Sequence, residues 1–220
     1  MTAARRLLAV PLLAGLLAAA SPGARAEALD EIAQTVAAYP LVRAEFVQEK
    51  RMAAMKRPLV TRGRLVFSRT HGVLWQIESP YRMTYVLNET RLVEIAADGA
   101  RRTREAREAP GFERVDRVFR AMLGANPEAL REHFDAAGRI DAGRWTLDLK
   151  PRGPAAQFIE SMRLAGGRFV ERIEIEEAGG DAAAIDFLHP QGAQAPAEDE
   201  ERLFREADDG SPGREGKGAT

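Results

Sequence analysis

The stretch Gly63–Pro80, GRLVFSRTHGVLWQIESP, constrains the fold more than any other part of the chain. Leu65 and Phe67 alternate with Arg64, Val66 and Ser68, and Val73, Trp75 and Ile77 alternate with Leu74, Gln76 and Glu78. That period of two is the mark of strands with distinct faces. Arg69-Thr70-His71-Gly72 joins the two runs as a tight turn, with Gly72 free to take a positive φ. Phe67, Trp75 and Ile77 then share one face, and Arg69 continues the same odd-numbered row. A guanidinium in register with large apolar side chains needs acceptors, because its charge is costly to bury alone. Arg69 is therefore the first candidate for a functional residue.

Short alternating runs and tight turns recur along the rest of the chain. Val42–Glu49 alternates, followed by a polar connection over Arg51–Thr61 with Met52 and Met55. Arg82–Asn88 (Met83, Tyr85, Leu87) and Arg91–Ala96 are joined through Asn88-Glu89-Thr90, and Asp98-Gly99 is a further hairpin signal. Strands are expected again at Arg144–Lys150, where Trp145, Leu147 and Leu149 share a face, and at Ile159–Leu164, Phe169–Glu177 and Ala182–Leu188. Helices are predicted over Ala28–Ala38, over Phe112–Leu123, and from the Asn126-Pro127 cap to about Phe134. Roughly nine or ten strands with three helices make an α+β fold, a curved antiparallel sheet covered on one side. The concave face of such a sheet is either filled by its own side chains or left open for a ligand. Periodicity does not choose between these.

The ends of the chain read differently. Arg5 and Arg6, the apolar run Leu7–Ala20 and Ala24-Arg25-Ala26 have the form of a secretory signal peptide, with cleavage expected after Ala26. The expected mature domain, 27–189, carries equal numbers of acidic and basic residues, and 190–220 is a charged, Gly- and Pro-rich tail expected to be disordered. A neutral domain argues against nucleic-acid binding, which needs a basic footprint. The absence of cysteine removes disulfides, thiol catalysis, thiolate metal sites and a lipid-modified cysteine at the mature N-terminus.

Taken in order, the helix, the F-x-Q strand with Phe46 and Gln48, the strand Gly63–Arg69, then Trp75 and Pro80, resemble the LolA family of periplasmic lipoprotein carriers. The runs Trp145–Pro151 and Phe169–Glu177 with Gly179-Gly180-Asp181 continue the resemblance, which covers about Ala28–Leu188. It implies an incomplete β-barrel covered by about three helices, with a hydrophobic cavity for acyl chains. It also implies an acylated lipoprotein or other lipid as cargo, an inner-membrane exporter (ABC-type or other), an outer-membrane acceptor, and a periplasmic, monomeric carrier. Arg69 matches the family's lid-latch arginine, which bonds to lid backbone and keeps the empty cavity closed. Thr70 stands where the family has proline, and no family-like terminal strand is evident after His189; both mark a divergent member. Phe46, Leu65, Phe67, Trp75, Ile77, Met83, Tyr85 and Leu147 are the candidate cavity-lining residues, each of which ordinary core packing would also explain.

Catalysis finds little support. His71, His133 and His189 are scattered without metal-ligand spacing, and no nucleophile elbow or phosphate-binding loop is present. No cofactor, metal or catalytic residue is expected. A lipid-sensing or interaction module on the same scaffold, and a carrier of a nonprotein lipid product, are the alternatives. Arg101, Arg102, Arg104 and Arg107 could meet lipid headgroups or an acidic partner, but Glu105 and Glu108 interleave with them, as at a solvated strand edge.

Overall fold

In the computed structural model, which describes residues 22–105 and 126–208, eleven strands form one antiparallel sheet. They are β1 (Leu41–Arg51), β2 (Leu59–Ser68), β3 (Gly72–Ser79), β4 (Met83–Leu87), β5 (Arg91–Ala96), β6 (Arg101–Glu105), β7 (Phe134–Asp141), β8 (Arg144–Pro151), β9 (Ile159–Gly166), β10 (Val170–Glu177) and β11 (Ala182–Ala193). Their order is β6-β5-β4-β3-β2-β1-β11-β10-β9-β8-β7. The first strand pairs with the last, Phe46 opposite Phe187 and Gln48 opposite Ile185, and this pairing joins two hairpin-built halves. The edges β6 and β7 do not pair, so the curved sheet is an unclosed barrel. Among the described residues three α-helices accompany it: α1 (Pro22–Val36), α2 (Pro127–His133) and α3 (Glu198–Asp208).

The inner face gathers side chains from both halves into one core. Leu65, Phe67, Trp75 and Ile77 meet Leu147, Leu164, Ile173 and Phe187 there, and α1 adds Leu29, Ile32 and Val36. The predicted helix starts earlier than expected, at Pro22, and buries Leu29, Ile32, Ala33 and Val36. α2 opens as its sequence foretells, with the Asn126 side chain accepting from the Ala129 amide at 3.1 Å and Pro127 in the first turn. The helix expected at Phe112–Leu123 lies outside the described residues.

Three features depart from the sequence reading. Strand β7 was not foreseen, because its inward positions are small: a Cβ on Gly138 would sit 3.2 Å from Ile32 Cδ1 and from the Leu29 backbone nitrogen. Close approach of α1 removes the large apolar residues that announce a strand. Strand β11 runs past His189-Pro190 to Ala193, since His189 takes φ 50° and the β1 register shifts between Arg43 and Glu45, after which Gln191 faces Arg43. The bulge absorbs the proline, and the ladder resumes.

The tail expected to be disordered from 190 onward is ordered through Asp208, and the cover is not one-sided. Helix α3 lies on the outer face, where Phe204 and Ala207 complete a second core with Leu41, Val66, Leu74, Val86 and Val93. Those outward positions of β2–β5 are apolar, unlike the charged outer face of β8–β11, where Arg163 pairs with Asp148 at 2.6 Å and Arg172 with Asp186 at 2.5 Å. The helix carries few apolar residues, so its sequence alone resembles a solvated segment. An unpaired apolar sheet face requires it.

Candidate functional site: the inner wall and its latch

Helix α1 ends at the same end of the sheet as the β2–β3 turn. Arg69, the last of the odd-numbered row, reaches from that turn to the chain that follows α1. Its Nη2 donates to the Ala37 carbonyl at 2.5 Å and to the Tyr39 carbonyl at 3.5 Å, while its backbone amide donates to the Pro40 carbonyl at 2.9 Å. The Ala37 carbonyl lies directly after the last residue of α1, where a cation also complements the helix dipole. The guanidinium is exposed and tied to backbone acceptors. It thus spans the junction between sheet and covering helix.

The turn that presents Arg69 is built without the family's proline. Buried Ser68 lies with its Oγ 3.2 Å from Thr70 Oγ1 and accepts the His71 amide at 3.2 Å. Gly72 follows with φ 101°, the conformation expected for it. Side-chain hydrogen bonds from Ser68 and Thr70 shape the turn that proline would otherwise fix.

All eight residues expected to line a cavity lie on the inner face. Phe46, Leu65, Phe67, Trp75, Ile77 and Leu147 are buried, and Met83 and Tyr85 pack half-buried beside them. Gly63, paired between Phe46 and Ile77, carries no side chain, and the Phe46 and Trp75 rings meet across β2 with centroids 4.0 Å apart. Phe187 closes on Trp75 edge-to-face at 6.4 Å. Burial pushes the Tyr85 phenol above its ordinary value, with Tyr81 and Glu94 adding to the effect and Arg104 opposing it. The phenol therefore stays neutral and presents no charge to the apolar wall.

Among the described residues the wall side chains pack on one another. An apolar gap between Val42, Ala44, Leu65, Phe67, Phe169 and Phe187 holds about 20 Å³, room for a single small group. A groove of about 520 Å³ runs instead along the flank of α1, between Ile32, Thr35, Tyr39, Ile140, Trp145 and Arg168. A larger hollow, about 640 Å³, lies on the outer face, lined by Asp135, Asp148, Lys150, Arg163, Glu174 and Glu176 together with Ala137, Leu149 and Met162.

Sequence reasoning missed Tyr39, Phe169 and Phe187. Tyr39 stacks on Phe169 at 5.5 Å and lies against Gly192, where a Cβ would come within 2.2 Å of its ring. Phe187 was legible in the alternation of Ala183, Ile185 and Phe187; Tyr39, between a helix and a proline, gave no periodic signal. Among the described residues no group of three or more acidic or histidine side chains could hold a metal ion, and no helix is long and apolar enough to cross a membrane.

Comparison with known proteins adds to this geometry. Solved structures of similar shape include a LolA superfamily protein from Nitrosomonas europaea, at 7% identity and TM-score 0.43, covering 82% of this chain and 96% of that one. A putative outer membrane lipoprotein-sorting protein domain from Vibrio parahaemolyticus aligns at 8% identity and TM-score 0.45, over 82% and 97% of the two chains. The Pseudomonas aeruginosa MucA/MucB complex aligns at 15% identity and TM-score 0.45, over 80% of this chain and 59% of that one. No curated protein matches the chain in sequence. The family model described as outer membrane lipoprotein carrier protein LolA-like matches residues 19–199, and the chain belongs to that family.

Proposed function

We propose that the chain is a soluble periplasmic carrier that shelters the acyl chains of a lipoprotein or other lipid against its inner wall and delivers them towards the outer membrane. Export with cleavage after Ala26, loading by an inner-membrane exporter and unloading to an outer-membrane acceptor belong to this reading. The observation that carries it is the Arg69 contact with the Ala37 carbonyl, which fastens the covering helix over a continuous apolar wall. In the described residues the wall side chains pack on one another around a gap of about 20 Å³ among Val42, Leu65, Phe67 and Phe187, and in this reading cargo enters by displacing α1 from the sheet.

The energetics suit such an exchange. Each methylene withdrawn from water is worth ~0.8 kcal/mol, so a long acyl chain gains far more than the latch holds. A hydrogen bond to a charged group is worth roughly 1.5–3 kcal/mol, enough to favour closure when no cargo is present and too little to bar loading. Wall residues that pack on one another when empty and on the cargo when loaded let one surface serve both states.

Replacing Arg69 by Leu tests the reading. The variant is expected to fold, to accept acylated cargo, and to release it to acceptor membranes markedly more slowly, because closure no longer competes with the cargo. Mass spectrometry of bound material together with a membrane-transfer assay reads this out. Unchanged loading and delivery would remove Arg69 from the mechanism, and cargo bound without any transfer by the wild type would favour a sensing module.

A further inference from the structure

Opposite the latch, the turns β1–β2, β3–β4, β8–β9 and β10–β11 lie at one end of the sheet, as the antiparallel order requires. Three of the large apolar side chains exposed on the described surface stand in these turns or at their edges: Met55 at 52%, Phe158 at 52% and Tyr81 at 46% exposure. The Ala53 amide donates to Asp181 Oδ1 at 2.9 Å and the Ala178 amide to the Phe158 carbonyl at 3.0 Å, so three of the four turns form one connected rim. Pairing of Arg62 with Ser79 brings the Tyr81 turn beside it.

The charges of this rim are unevenly placed. On the β1–β2 and β3–β4 turns and the strands beside them, Lys56, Arg57, Arg62 and Arg82 are exposed and have no ion-pair partner among the described residues. Glu177 lies 3.0 Å and Asp181 3.9 Å from Lys50 Nζ, while Glu160, Glu176 and, in the adjoining β5–β6 turn, Asp98 are exposed. The part of the rim built by the β1–β2 and β3–β4 turns is therefore cationic, with Met55 and Tyr81 between the charges and Phe158 on the neighbouring turn. Scattered apolar tips on separate turns do not form a groove for a peptide. Apolar and aromatic tips among cations match the boundary of an anionic bilayer, where rings settle at headgroup depth and cations meet lipid phosphates.

We infer that this rim docks the protein on the surface of an anionic lipid bilayer. The half-buried members of the inner wall, Met83 and Tyr85, lie on β4, the strand that starts from the Tyr81 turn. Docking through the rim thus brings the less covered part of the wall towards the membrane. The inference stands on the exposed residues and not on the cargo, so its failure would leave the carrier reading intact.

Co-sedimentation of the exported, processed protein with vesicles of equal parts phosphatidylglycerol and phosphatidylcholine, and with pure phosphatidylcholine vesicles, tests it. Binding is expected to the anionic vesicles, weakened by salt, and reduced about fivefold for each cation removed in Lys56→Gln with Arg57→Gln. Arg139→Gln with Arg168→Gln, at the other end of the sheet, should leave binding unchanged. Because the chain has no cysteine, Met55→Cys carrying an environment-sensitive dye reports the rim alone, and its emission should shift to the blue on the anionic vesicles. No binding to anionic vesicles, equal loss in both double variants, or a dye at position 55 that stays in water would overturn the inference. The last of these would point to a protein partner at the rim.

Discussion

At the level of single residues, Gly63 pairs with Phe46 on one side and Ile77 on the other, and a Cβ built on it would lie 1.8 Å from the Gln76 carbonyl oxygen. Since that atom is backbone, relief requires the β2–β3 register to shift. Gly63→Ala is therefore expected to cost about 2–3 kcal/mol, measured as a lowered midpoint of urea unfolding; a cost within experimental error would show that the bulge at Arg62–Gly63 relaxes freely. The glycine, the apolar row and Arg69 were all legible in the sequence, because each imposes a local pattern. The acceptors of Arg69 were not legible from pattern, since the Ala37 and Tyr39 carbonyls lie about thirty residues away across a loop. Thr70 shows the same limit: its hydroxyl substitutes for a proline only through the neighbouring Ser68.

Among the elements, α3 is the one whose placement depends most on charge. Arg43 holds Glu200 through two hydrogen bonds of 2.6 and 2.5 Å, Arg101 holds Glu206 at 2.6 Å, and Phe204 stacks on His71 of the β2–β3 turn at 5.4 Å. Burial alone would raise the Glu200 carboxyl, but the Arg43 guanidinium and the Ala197 amide outweigh it and hold the group below its ordinary value. A carboxyl lowered in the folded state contributes stability above its unfolded value, about pH 4.3, and loses that contribution as pH falls through the folded value. Docking of α3 should thus be undiminished at neutral pH and fade in acid. Thermal unfolding is expected to show a larger drop between neutral pH and about pH 3 for the wild type than for Glu200→Gln; equal drops would place the acid sensitivity elsewhere. Strand β7 was not read from the sequence, and Glu198–Ala207 was legible there only as a transient helix, not as one docked on the sheet, for opposite reasons. α3 is polar except where the sheet needs it, and β7 is small where α1 needs room.

Across the whole molecule, the inner core is continuous from β5 to β7 and is covered, among the described residues, by α1, held at its C-terminal end, and by Leu130 of α2. If acyl chains replace α1 on the wall, hydrogen exchange should quicken in α1 and slow in Phe46, Trp75 and Leu147 when an acylated ligand is added. Protection of both together would mean that cargo binds in the groove beside α1 and leaves the wall packed. The architecture itself was readable, because hairpins, turn residues and a period of two repeat throughout. Whether the interior was vacant could not be read, because the same apolar row serves a filled and an open barrel alike. The seam between β6 and β7 adds one more consequence. A ring sealed by hydrogen bonds has a fixed girth, whereas this one, like a cuff without its button, can widen without breaking any rung of its ladders. If the proposed carrier function holds, its capacity is set by the bulk of what it wraps, and a single protein of this design would grip thin and thick guests with graded tightness.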